Sequence, residues 1–401
     1  MTAYDAIVLG AGAAGMMCAA TAGARGRRVL LLDHAGEPGK KILISGGGRC
    51  NFTNRDAGFD TGGPDRFLSA NPHFVRSALS RYTAADFVAL VERHGIAYHE
   101  KTLGQLFCDG SAREIVAMLR VECDAGGVDL RAGHRITAVS RADAFRVETD
   151  RGAFTAPALV LATGGLSIPK MGATGLSLDL ARRFGLPVVA PRPALVPLTF
   201  GEDWLALMRP LAGVALPVEA RTGGPRGSAF REAMLFTHRG LSGPAILQVS
   251  SYLAADGAIT LDLLPGTDAA AWLTGRKRER PRAELRTALA ERLPGRLATA
   301  LAETRLAHLA RPVGELPDRA LRDVAAGLNA LTLTPAGTEG YAKAEVMAGG
   351  VDTRALDPRT LAARDVPGLH VIGEAADVTG WLGGYNFQWA WSSGWCAGGS
   401  V

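Results

Sequence analysis

Three glycines near the start of the chain, Gly10, Gly12 and Gly15, stand at the spacing G-x-G-x-x-G between two apolar runs, Ala6 to Leu9 and Met16 to Ala24. The first run has the length of a strand and the second that of a helix, so the segment reads as strand, tight turn, helix. Each glycine has its own duty in such a turn: the first permits the sharp bend, the second lets the backbone approach a pyrophosphate, and the third lets the helix pack closely on the strand. The helix start, at Ala13 and Ala14, offers unpaired N–H groups and the positive end of a dipole to phosphate charge. A second strand, Arg28 to Leu32, ends in Asp33 and His34, near the ~20-residue distance at which a carboxylate holds an adenosine ribose. In a chain with 50 glycines the motif alone is weak. Its context makes it a dinucleotide site in an α/β, Rossmann-type domain.

The apolar start could instead be a signal peptide or membrane anchor. No basic segment precedes it, Asp5 borders it, and its glycines fall at nucleotide spacing, so a cytoplasmic protein is expected. No other stretch supplies the ~18 apolar residues of a membrane-spanning helix. With 401 residues, 47% of them hydrophobic and 21% charged, the chain is long enough for two or three cores. The five cysteines, Cys18, Cys50, Cys108, Cys123 and Cys396, are scattered and never form C-x-x-C. That excludes a disulfide framework, a zinc site and a redox dithiol from the reading. His73, His94, His99 and His134 have no spacing that points to a metal. A formal charge of +5 permits an anionic partner such as RNA without requiring one.

A nicotinamide dehydrogenase needs one such fingerprint; a flavin dinucleotide also needs somewhere to lay a ribityl chain and a flat ring. Further segments supply that. The stretch Gly39 to Asn54 carries Lys40, Lys41, Ser45, Gly46, Gly47, Gly48, Arg49, Cys50 and Asn51, a basic pair followed by a glycine nest able to follow a pyrophosphate. Leu159 to Leu161 is a buried strand that turns at Ala162, Thr163 and Gly164, and Ile136 is counted among the cofactor contacts. A last buried strand, Leu369 to Ile372, delivers Gly373 and Glu374, whose carboxylate can accept bonds from ribityl hydroxyls. Gly383 and Gly384 precede an aromatic helix, Tyr385 to about Ala397, which opens with Tyr385, Asn386 and Phe387. Its N-terminus would face the flavin pyrimidine edge, where reduction places negative charge. Both ends of the chain thus converge on one FAD.

Between them the composition changes. Residues 1–191 and 346–401 read as the two parts of the FAD domain. Residues 192–266 alternate short β-like runs with Gly and Pro turns, a β-rich cap to which 331–345 return a strand. Residues 267–330 are rich in Ala, Leu, Arg and Glu at helical spacing, as in Leu285, Leu289, Leu293, Leu297 and Leu301, with breaks at Pro281, Pro294 and Pro317. This helical insertion holds the densest basic run, Arg276 to Arg282, which is either a solvated helix end or a footprint for an RNA backbone.

The segments Gly39 to Asn54, Asn71 to Phe74, Gly104 to Cys108, Phe236 to Pro244 and Asp377 to Trp391 resemble the BaiN/YhiN family of FAD-dependent oxidoreductases over essentially the whole chain. The resemblance implies an FAD domain built from both chain ends with two inserted subdomains, noncovalent FAD, NAD(P)H as electron donor, and a weaker kinship to fumarate-reductase-type flavoproteins. Three activities are attached to such proteins: reduction of uridine in ribosomal RNA to dihydrouridine, oxidation of small amines such as aminoacetone, and reduction of steroid-like bile acids. The basic run tilts the expectation toward RNA, with no DNA or membrane partner. A flavin-binding, RNA-associated factor without turnover is the reading from another class.

The flavin carries the redox step, so the protein must orient substrate and manage a proton. Two residues are candidates for that work. Cys50 lies within the glycine loop, and His238 lies in a polar Thr-His-Arg cluster of the cap. The chain has only one G-x-G-x-x-G, so NAD(P)H must bind without a Rossmann domain of its own, or the reductant is something else.

Overall fold

A computed structural model describes residues 4–223 and 227–401. The chain divides into two compact units, residues 1–192 with 346–401, and residues 193–345.

The first unit is built on a five-stranded parallel sheet in the order 369–371, 158–161, 6–9, 29–32, 129–131. Strands 6–9 and 29–32 are buried at every residue. They are continuous apolar runs without alternation because helices cover both faces of a parallel sheet. The helix after the glycine turn runs Ala13–Ala24, three residues earlier than its apolar run suggests. It packs against the last helix, Tyr385–Gly398, and small residues set how close the two come. A methyl group at Gly394 would lie 2.5 Å from the Ala14 carbonyl oxygen, and one at Gly398 would lie 2.4 Å from that of Cys18. Arg25 closes the contact by donating to the carbonyls of Gly398 and Val401 at 2.9 and 3.0 Å.

Helices Ala84–Arg93 and Ala112–Ala125 both start with capping boxes, Thr83 with Asp86 and Ser111 with Glu114. A three-stranded antiparallel sheet, 51–54, 105–108 and 98–100, lies beside the last helix, and its Phe52 carbonyl accepts from Trp391 Nε1 at 2.7 Å. Trp391 stacks on Phe87 at 4.3 Å between ring centroids.

The second unit holds a seven-stranded antiparallel sheet in the order 331–333, 259–262, 215–222, 229–237, 240–242, 198–199, 337–338. The helical insertion forms helices 269–279, 285–289, 295–303 and 318–329. Pro294 splits the leucine-rich stretch into two helices, and Pro317 is the N-cap residue of the last. Leu285, Leu289, Leu293 and Leu297 are all buried. No helix among the described residues is long and apolar enough to cross a membrane.

Candidate functional site

The glycines of the first turn behave differently from one another. Gly10 has φ +105°, and a side chain there would meet the Ala162 carbonyl oxygen at 2.5 Å. At Gly15 a methyl group would lie 1.9 Å from the Gly10 oxygen. Both positions are glycine because the turn, the first helix and the Ala162 backbone touch. A methyl group on Gly12 would meet nothing within 4 Å, so the protein's own packing gives no reason for glycine there. The open space there leaves room for a ligand running along the turn. Helices 13–24 and 385–398 both start at a glycine with no side-chain cap. Their first-turn N–H groups are therefore available to an anionic ligand.

Asp33 closes the turn from the next strand. Its two oxygens accept from the N–H groups of Ala11 and Ala35 at 2.7 and 2.8 Å, and His34 Nδ1 lies 3.6 Å from it. Ile136 opens strand 136–141 of the neighbouring sheet.

The loop that follows is a short helix, Lys40–Ile44, and then a turn through Ser45 to Gly48. Ser45 Oγ donates to the Ile42 carbonyl at 2.7 Å. Gly46, Gly47 and Gly48 are all left-handed, at φ +55°, +66° and +85°, a run that side chains disfavour and that turns successive N–H groups into a nest. Gly47 and Gly48, like Gly12, have open space where a side chain would be. Arg49 is exposed and Lys40 is half-buried. The Asn51 amide faces that of Gln105 at 3.0 Å.

Lys41 and Glu374, far apart in sequence, meet at 2.8 Å. Glu374 also accepts from Ser167 Oγ at 2.8 Å and from the Met347 N–H at 2.9 Å. Burial pushes this carboxyl up, but the Lys41 charge and the bonds from Lys41, Ser167 and Met347 outweigh it and hold the group below its ordinary value. Gly164 and Gly165 pass within 3.5 and 3.1 Å of Glu374 oxygens, counted from where their side chains would start. Thr163 is fixed by a 2.7 Å bond between its hydroxyl and that of Ser177. Gly373, at φ +61°, donates to Ser393 Oγ at 3.0 Å and accepts from Trp389 Nε1 at 2.9 Å.

At the start of the last helix, Gly383 and Gly384 are left-handed, and a methyl group on Gly384 would lie 2.3 Å from the Thr53 carbonyl oxygen. Asn386 clamps the preceding turn, accepting from the Gly380 N–H and donating to the Gly380 carbonyl, each at 2.8 Å. Tyr385 is hydrogen-bonded to Arg66. Burial pushes its phenol up to about 12 against the opposing Arg66 charge. Phe387 stacks on Trp391 at 5.6 Å.

The structure thus brings together the first turn, the glycine loop, the turn at Thr163 and Gly164, Glu374 and the last helix start, all within one compact unit. Ser167, Met347, Arg66 and Gln105 join them. Gln105 falls in the motif segment Gly104 to Cys108, whereas Ser167, Met347 and Arg66 have no local pattern that would mark them in the sequence.

Of the two residues proposed for proton chemistry, His238 lies in the other unit. It is exposed at the hairpin turn between strands 229–237 and 240–242. Cys50 is fully buried at φ +50°. Burial pushes its thiol up to about 12, the Ser45 hydrogen bond opposes this, and Cys108 adds to it. A thiol held so high is protonated at neutral pH and is no nucleophile. A thiol-alkylating reagent at pH 8 is therefore expected to leave Cys50 unlabelled in the native protein and to label it after denaturation. Rapid labelling of the native protein, mapped by peptide mass, would contradict the burial.

A family model described as "HI0933-like protein Rossmann domain" matches residues 4–400. The chain belongs to the HI0933-like family. Among the HI0933-like chain's relatives is an Escherichia coli (strain K12) protein named ribosomal RNA dihydrouridine synthase, 49% identical over 99% of this chain and 98% of its own length. A second, from Clostridium scindens, is named 3-dehydro-bile acid delta(4,6)-reductase and is 31% identical over 98% of this chain and 97% of its own. In fold, a 3-ketosteroid-delta4-(5alpha)-dehydrogenase from Rhodococcus jostii RHA1 superposes with a TM-score of 0.50 at 15% identity, covering 99% of this chain and 97% of that one. The relatives fit the resemblance read from the motifs, and this HI0933-like protein is an FAD-dependent oxidoreductase.

Proposed function

We propose that this enzyme reduces uridine in ribosomal RNA to dihydrouridine, with FAD passing on electrons from NAD(P)H. The observation that carries the reading is the 49% identity, over nearly the whole of both chains, with the E. coli protein of that name. Bound FAD supplies hydride transfer between the nicotinamide and the C5=C6 bond of uracil.

The residues of the chain do the rest. The turn at Gly10, Gly12, Ala13, Ala14 and Gly15 and the start of helix 13–24 hold the pyrophosphate. Asp33, His34 and Ile136 serve the adenosine end, and Ala162, Thr163 and Gly164 line the bed beneath. Lys40, Lys41, Ser45, Gly46, Gly47, Arg49, Cys50 and Asn51 follow the ribityl and ring side. Gly373 and Glu374 fix the ribityl from the last strand, and Gly383, Gly384, Tyr385, Asn386 and Phe387 present a helix start to the pyrimidine edge. Saturating the uracil double bond needs one proton besides the hydride. His238 is the side chain proposed to hold it, since the Cys50 thiol is fully buried and holds its own proton tightly.

The test is the nucleoside composition of ribosomal RNA from cells with and without the gene. Dihydrouridine is expected in the parent, absent in the deletion, and restored by a plasmid copy. An unchanged level would overturn the reading. It would favour the second, a reductase of steroid-like small molecules, for which the C. scindens relative speaks.

A further inference from the structure

The basic run in the helical insertion is less free than its sequence suggests. Arg276 pairs with Glu279 and Glu291, Arg280 reaches Glu291 at 3.2 Å, and Lys277 binds Asp318 at 2.7 Å and the Leu316 carbonyl at 2.6 Å. These three cations brace helix 269–279 against its neighbours. What remains of the run is Arg278 and Arg282, both exposed and without a carboxylate partner among the described residues.

The fold adds to these two from a distant part of the sequence. Residues 281–284 run antiparallel to 312–314: the Val313 N–H donates to the Ala283 carbonyl at 2.8 Å, the Gly314 N–H donates to that of Pro281 at 2.9 Å, and Glu284 bridges Pro312. This ribbon sets Arg282 beside the segment that begins at Arg311. The tie from Lys277 to Asp318 sets the end of helix 269–279, with Arg278, beside the start of helix 318–329, with Arg319 and Arg322. Asp318 registers the crowding. Its bond to Lys277 and the charges of Lys277, Arg322 and Arg278 hold its carboxyl below the ordinary value. Arg311, Arg319 and Arg322 are exposed and, like Arg278 and Arg282, lack a carboxylate within ion-pair reach among the described residues. The charge is concentrated here. Residues 267–330 carry twelve Lys and Arg against eight Asp and Glu, a net +4 in a chain of +5.

We propose that Arg278, Arg282, Arg311, Arg319 and Arg322 form a docking surface for the phosphate backbone of the substrate RNA, and that Arg276, Lys277 and Arg280 are structural braces. The proposal rests on the reading of the substrate as ribosomal RNA. Exposed guanidinium groups with no internal carboxylate suit phosphate recognition, because each can displace condensed counterions without first breaking an ion pair. Contacts of this kind position the RNA and carry no sequence information.

The experiment measures binding of the full-length protein to deproteinised ribosomal RNA across a salt series. Each phosphate contact lowers log affinity against log salt by about 0.7 to 0.9. Replacing all five arginines by Gln is expected to flatten that slope by about 3.5 to 4.5 units, and the five Arg→Lys replacements to restore most of it. Arg276→Gln with Arg280→Gln should leave the slope as it was. A Gln variant that stays folded by circular dichroism and keeps the wild-type slope overturns the surface, as does a slope lost only with Arg276 and Arg280. Dihydrouridine formation on the same RNA separates this from the functional reading. Product formed by a Gln variant with unaltered slope sinks the surface and leaves the function standing. A slope that flattens as expected, with no product from the wild type, supports the surface and sinks the function.

Discussion

Gly12→Leu is expected to yield a folded protein that purifies colourless, while Gly15→Ala is expected to lower the stability of the fold itself. The two glycines are three residues apart, yet their surroundings are opposite. A methyl group at position 15 would lie 1.9 Å from the Gly10 oxygen, so helix 13–24 would have to move off the sheet, an overpacking strain of about 1–3 kcal/mol or more in a close-packed interior. At position 12 a side chain meets open space on the protein's side and would fill the path of the pyrophosphate. FAD affinity should fall by at least about two orders of magnitude, or roughly 3 kcal/mol, with little change in the melting temperature of the apoprotein. Cofactor content by absorbance, together with thermal melting of cofactor-free samples, checks both. Retention of flavin by Gly12→Leu would remove the turn from the site. Heat-released FMN in place of FAD from the wild type would show that the first strand, turn and helix had been misassigned.

Glu374→Ala is expected to cost both cofactor and stability. Its carboxylate ties Lys41, Ser167 and the Met347 N–H to the end of the last sheet strand. Losing charge-assisted bonds of this kind costs about 1.5–3 kcal/mol. The side chain is only 19% exposed, but Lys41 is 35% exposed, so solvent screening argues for the lower part of that range. FAD affinity should fall about ten- to thirty-fold, measured by titrating apoprotein. Glu374→Gln keeps an acceptor for the Met347 N–H and loses the ion pair, so it should fall between wild type and alanine.

The pH dependence has a definite sign. Because the folded carboxyl lies below its ordinary value, its stabilisation is present above the unfolded value of about 4.3 and is lost as pH falls below that. The Gln variant should therefore lose less stability than wild type on acidification from pH 6 to 3. Equal acid sensitivity in the two would mean that Glu374 is not held ionised by Lys41.

Signals that act over a few residues made the nucleotide-binding half legible in the sequence. The spacing of Gly10, Gly12 and Gly15, the uninterrupted apolar strands 6–9 and 158–161, and the prolines at 281, 294 and 317 each depend on local backbone geometry or on burial on both faces of a sheet. The family motifs carried the expectation of FAD from there. Helices 84–93 and 112–125 are marked in the sequence only by their capping boxes and a short amphipathic pattern, signals weaker than glycine and proline punctuation.

The tertiary structure alone decided which side chains meet. Lys41 and Glu374 are 333 residues apart, Ser167 and Glu374 are 207, and no spacing rule links them. Glu374 was legible as a strand-end carboxylate; that a lysine and a serine hold it ionised was not. Cys50 in the glycine loop reads as a residue near the cofactor, and only the packing of strands 51–54 and 105–108 shows its thiol sealed and protonated. The run from Arg276 to Arg282 reads as one basic footprint. The fold divides it, because carboxylates at 291 and 318 neutralise part of it while arginines from 311 to 322 join the remainder. Local sequence determines backbone conformation and the pattern of burial, whereas the partner of a charge is set by whichever distant element the completed fold brings within hydrogen-bond reach.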